Sequence, residues 1–160
     1  MPGVTNKILA RFVKKVFLGY REAEKYFTGK SRKIYTGNPI RSEILSNKRS
    51  EAVKFFGLDP EKQTILVSGG SRGAQSINKA MLYVEQALSG RHDVQVLHAT
   101  GEANYEEYIK ELNKKGSVED NIVVKPYLHD MPMALAAADL AVFRAGAIGL
   151  AELTAKGVPS

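Results

Sequence analysis

The sequence lacks cysteine altogether, which excludes disulfide bridges and thiolate metal sites. That absence is compatible with the cytoplasm without establishing it. No run of 18 apolar residues occurs and no export signal is visible, so nothing here reads as a membrane span. Internal repeats and low-complexity tracts are missing. The three histidines, His92, His98 and His129, have no metal-ligand spacing, no Ser/His/Asp set is evident, and no aspartate-rich metal motif appears. The chain has 160 residues, enough for one domain with a substantial core. Apolar residues make up 44 % and charged residues 25 %, the balance of an ordinary globular protein rather than a disordered one. The net charge of +6 favours anionic partners, though a solvated lysine-rich surface gives the same count.

Six apolar, β-rich runs alternate with helical patterns. They are KVFLGY (15–20), KIYTG (33–37), TILVSGG (64–70), DVQVLHAT (93–100), NIVVKPY (121–127) and LAVFRAG (140–146). Ile77, Met81, Val84 and Leu88 predict one apolar helix face. Tyr105, Tyr108, Ile109 and Leu112 predict a second, behind Asn104 as N-cap. Strand–helix alternation of this kind predicts an α/β fold, a Rossmann-like parallel sheet with helices on both faces. TGNPIRSEILSNKRS (36–50) has the turn chemistry of a linker between a short first piece and a fuller α/β unit. The first residues enter at a turn and helix with no strand before them. The last, LTAKGVPS, end a helix at Gly157 where a further strand is expected, so both ends read as cut from a longer α/β protein.

Two loops carry chemistry. SGGSRGAQSIN (68–78) follows a strand and opens a helix, but lacks the first glycine of G-x-G-x-x-G and the lysine of a P-loop. What remains is a glycine loop that presents backbone N–H groups at a helix start, with the Ser71 hydroxyl beside them. The plainer reading is that Ser71 caps the helix and the glycines ease packing. LAVFRAGAIGLAELTAKG (140–157) repeats the plan, with Gly146 and Gly149 bracketing the turn, a helix beginning near Ile148, and Glu152 about one turn inside it. A carboxylate there suits a sugar diol while N–H groups face phosphates. The plainer reading is a glutamate stabilised by the helix dipole. Arg41 follows the Gly-Asn-Pro turn, where a guanidinium can reach phosphate; by itself it reads as a surface arginine. His98, near a strand end, either faces a cleft or is structural.

TGNPIR, VSGGSRGAQSIN, LHATGE, VKPYLHDM and RAGAIGLAELTAKGVPS together resemble, in order and spacing over nearly the whole chain, the MurG family of bacterial N-acetylglucosaminyltransferases. The resemblance implies a GT-B fold of two Rossmann-like domains. Residues 1–36 would be the end of the N-terminal acceptor-side domain, and 37–160 most of the C-terminal donor domain. It implies UDP-N-acetylglucosamine as donor and lipid I as acceptor, the latter through the missing part of the N-terminal domain. It further implies peripheral contact with the cytoplasmic side of the bacterial membrane, and no cofactor, metal or nucleic acid. Carried over residue by residue, Arg41 and Ser71 contact the donor. Tyr127 borders the uracil, the backbone of Leu128 pairs with it, and Met131 lines the same pocket. Ala147, Ile148 and Gly149 face the diphosphate with their N–H groups, and Glu152 accepts from the ribose hydroxyls. Two departures stand out: Gly149 replaces a common Ser or Thr, and Arg72 a common Gln. The amino-terminal glycine loop with its proposed catalytic histidine is absent, so no catalytic residue is expected in this chain and it should be inactive alone. The implied reaction is an inverting transfer to the lipid I hydroxyl that gives lipid II. A UDP-N-acetylglucosamine 2-epimerase-like enzyme and a non-catalytic nucleotide- or nucleic-acid-binding module remain as other readings. No acid–base set for the first and no aromatic–basic RNA motif for the last is found in the sequence.

Overall fold

A computed structural model describes residues 1–70, 72–116 and 119–160. The chain forms two compact units, Met1–Ile40 and Arg41–Ser160. The first contains helix α1 (Val4–Leu9), strand β1 (Lys15–Leu18), a 3-10 segment Arg21–Tyr26 and strand β2 (Arg32–Tyr35). β1 and β2 pair in parallel, Lys15 opposite Arg32 through Leu18 opposite Tyr35. Within these elements only Leu18 is buried, and α1 buries no residue.

The second unit runs α2 (Glu43–Ser46), α3 (Arg49–Phe56), β3 (Gln63–Ser68), α4 (Gln75–Leu88), β4 (Val94–Ala99), α5 (Glu102–Lys114), β5 (Ile122–Lys125), α6 (Met131–Ala137), β6 (Leu140–Phe143) and α7 (Ala147–Lys156). Its four strands are all parallel, in the order β5-β4-β3-β6. The predicted α/β class with a parallel sheet is what forms. Successive side chains leave opposite faces, so neighbours in sequence enter different cores. Leu66 and Leu97 pack with Ile44, Val53, Leu135, Ala141 and Leu153 from α2, α3, α6, β6 and α7. Val67 and Val96 pack on the other face with Met81, Tyr108 and Leu112 from α4 and α5. Both faces are therefore covered by helices, as expected.

Several boundaries differ from the sequence reading, each for a local reason. β3 stops at Ser68, because Gly70 takes φ +86° and turns the chain. β5 stops at Lys125, because Pro126 has no N–H for the ladder. The stretch read as linker is irregular only as far as Ser42. α2 and α3 then begin, and Ile44 is wholly buried, so its second half belongs to the α/β unit. On α4 the buried positions are Asn78, Met81 and Glu85, whereas Val84 points to solvent. Two polar side chains take the inward face that apolar periodicity assigned to Val84. The cap of α5 is Gly101, at φ +90°, rather than Asn104, which lies within the first turn.

Candidate functional site

The strand order places the site. The chain proceeds β3, β4, β5 toward one edge and then returns across the sheet to lay β6 on the other side of β3. The connections after β3 and β6 consequently diverge to opposite faces and open a crevice at the carboxyl ends of these two strands. Among the described residues, those over that end are 69–70 and 72–74 after β3, Thr100–Gly101 after β4, 126–130 after β5 and 144–146 after β6.

The glycine loop after β3 needs its glycines for space. A Cβ on Gly69 would strike the backbone of Gly73 and Ala74. One on Gly73, at φ +71°, would strike the Thr100 carbonyl, and one on Gly101 the backbone of Arg72 and Gly73. Gly73 N–H donates to Gly70 O at 2.8 Å, closing the turn. Ser71 lies outside the described residues. The Asn104 amide, expected to cap a helix, instead donates to Arg72 O (3.1 Å) and Thr100 O (3.2 Å), tying the loop to the end of β4.

Behind this loop lies a buried polar chain. Asn78 Nδ2 donates to Thr100 O at 2.9 Å, so its Oδ1 faces His98 Nε2 at 3.2 Å and accepts from it. His98 Nδ1 lies 2.7 Å from Glu85 Oε1, and the Tyr108 hydroxyl donates to Glu85 Oε2 at 2.7 Å. His98 and Glu85 are fully buried. His98 is therefore structural, the plainer of its two readings. Burial and the adjacent Glu85 push the Tyr108 phenol well above the usual tyrosine range. The sequence signal for this network was a polar pair, Asn78 and Glu85, seven residues apart on an otherwise apolar face.

α7 begins at Ala147 after Gly146, and its first intrahelical bond is Leu150 N–H to Gly146 O, 2.9 Å. The amides of Ala147, Ile148 and Gly149 thus lie on its first turn. Ile148 is exposed. Glu152 lies one turn further on and is buried, with 6 % of its side chain exposed. Arg41 Nε and Nη2 both donate to Glu152 Oε1, at 3.0 and 2.9 Å. The structure therefore joins two of the expected site residues that are 111 positions apart, a pairing with no sequence signal.

Tyr127, Leu128 and Met131 follow β5, at the opposite edge of the sheet. Three strand spacings separate β5 from β6, roughly 14 Å. The Tyr127 ring is partly exposed and meets His129 edge-on at 5.0 Å. Leu128 is buried in the core, and Met131 packs against the same core. Asp130 fixes the turn by accepting from Met133 N–H at 3.0 Å, capping α6. Among the described residues no cluster of three His, Asp or Glu that could hold a metal is found. A groove of about 580 Å³ between α4 and α5 is lined by Gln75, Lys79, Tyr83, Asn104, Glu107 and Lys115, and at Gln75 and Asn104 it borders the loop after β3.

Comparison with known proteins fits this geometry. Residues 64–160 match the family described as glycosyltransferase family 28 C-terminal domain. The UDP-N-acetylglucosamine–N-acetylmuramyl-(pentapeptide) pyrophosphoryl-undecaprenol N-acetylglucosamine transferase of Bacillus subtilis (strain 168) is 46 % identical over 160 residues, covering 100 % of this chain and 43 % of the relative. Its namesake in Desulfitobacterium hafniense (strain Y51) is 47 % identical over 161 residues, 99 % of this chain and 44 % of the relative. The crystal structure of Acinetobacter baumannii MurG shares the fold at TM-score 0.59 and 22 % identity, over 98 % of this chain and 41 % of that one. The chain thus spans less than half the length of these proteins.

Proposed function

The chain belongs to the glycosyltransferase family 28 C-terminal domain family, and from that premise we propose that it is the donor-holding part of an inverting N-acetylglucosaminyltransferase. The donor is UDP-N-acetylglucosamine and the acceptor lipid I, as the names of the relatives suggest. The observation that carries the reading is the buried Glu152 carboxylate one turn inside a helix that opens at the β3/β6 crevice. A carboxylate accepts from a ribose diol, while the N–H groups of Ala147, Ile148 and Gly149 and the helix dipole favour the diphosphate. Ser71 and Arg41 add donors to the phosphates. Tyr127, Leu128 and Met131 border the uracil, so the nucleotide lies across the carboxyl edge of the sheet.

In the reaction the acceptor hydroxyl attacks the anomeric carbon, the bond to the diphosphate oxygen breaks with inversion, and UDP departs. The groups in this chain bind the donor and stabilise charge that develops on the leaving diphosphate. Activation of the hydroxyl is assigned to residues outside this chain, as is the acceptor site, with residues 1–36 forming the end of the acceptor-side domain of a GT-B enzyme. Contact with the cytoplasmic face of the membrane is peripheral; among the described residues no helix is long and apolar enough to cross a membrane.

Calorimetry with UDP, UDP-N-acetylglucosamine, NAD and RNA tests this function. Binding of the two uridine nucleotides alone is expected; preference for NAD or RNA would overturn it. Glu152→Gln should weaken UDP about ten-fold or more, since hydrogen bonds to a charged group contribute about 1.5–3 kcal/mol. A 2′,3′-dideoxy uridine nucleotide should be indifferent to that substitution. Equal UDP affinity in parent and variant would remove Glu152 from the site.

A further inference from the structure

The two partners of the Arg41–Glu152 pair are unlike in a way that bears on which ligands the site accepts. Glu152 is held: it lies within α7, beside Leu153 in the core, and its side chain is 6 % exposed. Arg41 is 49 % exposed and sits in the irregular stretch before α2. Both of its donating nitrogens converge on one oxygen, Oε1, rather than gripping the two oxygens as a fork. Oε2 takes no part in the pair. The carboxylate is the buried member of the pair, and the guanidinium is the one that solvent or a ligand can reach.

We propose that Arg41 is a specificity-determining residue that selects phosphorylated over unphosphorylated nucleosides, by occupying Glu152 until a phosphate draws it away. The inference rests on the donor-site reading above. A neutral nucleoside offers its diol to Glu152, but nothing anionic to the guanidinium. It must therefore compete with the pair or accept a buried carboxylate already engaged on one oxygen. A nucleoside diphosphate supplies both halves of the exchange: hydroxyl donors for the carboxylate and phosphate oxygens for the guanidinium. Separating a buried charge from its partner is unfavourable unless both are compensated at once. The ion pair thereby couples recognition of the sugar to recognition of the phosphates.

The test measures uridine and UDP affinities at pH 8 by calorimetry, for the parent chain and for Arg41→Gln. UDP should weaken about ten-fold or more in the variant, because a charge-assisted contact to phosphate is lost. Uridine should bind tighter, because its competitor is gone; weaker UDP with unchanged uridine would overturn the proposal, since Arg41 would then be a phosphate contact alone. Arg41→Lys keeps the charge but not the two converging donors; it should leave uridine at least as tight as in the parent and weaken UDP less than Arg41→Gln does. Should Arg41→Gln fail to fold by circular dichroism, the lysine variant carries the same comparison. Equal weakening of uridine and UDP would overturn the proposal, since Arg41 would then merely orient Glu152. No change in either would overturn it as well. A parent chain that binds no UDP would overturn the donor-site reading and this inference with it, an outcome distinct from the others.

Discussion

Glu85 receives two hydrogen-bonding partners in a place with no access to water, and both of its oxygens are used. Removing one donor is therefore costly. Tyr108→Phe should destabilise the chain by about 1–3 kcal/mol in urea unfolding, because Glu85 Oε2 loses its donor. The phenol also gives a pH signature. Its folded pKa is raised above its unfolded value, so the stability it contributes is complete below about pH 10 and is lost as pH rises further. Tyrosinate absorbance at about pH 11 should be the same for folded parent and folded Tyr108→Phe. In urea the parent should exceed the variant by one tyrosine. A difference of one tyrosine between the folded forms would show that Tyr108 titrates in place.

Two glycines that look alike in sequence do different work at the level of the element. Gly73 has φ +71° and no room for a Cβ beneath the Thr100 carbonyl. Gly149 lies in the first turn of α7, where a Cβ would make ordinary contact with Phe143 at 3.6 Å. Gly73→Ala should therefore destabilise by more than about 1 kcal/mol, combining left-handed strain with a backbone clash. Gly149→Ala should stabilise by about 0.5–1 kcal/mol through helix propensity. Urea midpoints read both, and opposite signs are expected. A loss on Gly149→Ala would mean that the start of α7 in this chain tolerates no side chain.

At the scale of the molecule, charge and exposed apolar groups coincide in the first unit. Ile8, Leu9, Phe12 and Phe17 are exposed alongside Arg11, Lys14 and Lys15, with Lys7 half-buried beside them. With a net charge of +6, this favours an anionic lipid surface, but screening at about 0.1 M salt limits the range to roughly 10 Å. Sedimentation with vesicles should show weak binding to anionic lipid, little to zwitterionic lipid, and release as salt rises. Tight binding at high salt would mean that the apolar groups, rather than the charges, dominate.

The sequence by itself determined the parallel α/β plan, because apolar runs of strand length alternate with helix-period stripes and each pattern is local. It determined the glycine loops for the same reason: a turn with positive φ leaves its mark on a few adjacent letters. It also made Arg41 and Glu152 candidates, each within its own motif. What only the tertiary structure decided is everything that depends on which distant elements meet. Periodicity gave Val84 an inward position, yet packing gave it to Glu85, since a buried polar group is tolerated only where partners such as His98 and Tyr108 converge. Asn104 read as a cap from its neighbours in the chain, but Gly101 took that place and freed the amide to hold the loop after β3. The pairing of Arg41 with Glu152 came from α7 returning beside α2, a contact no local pattern encodes.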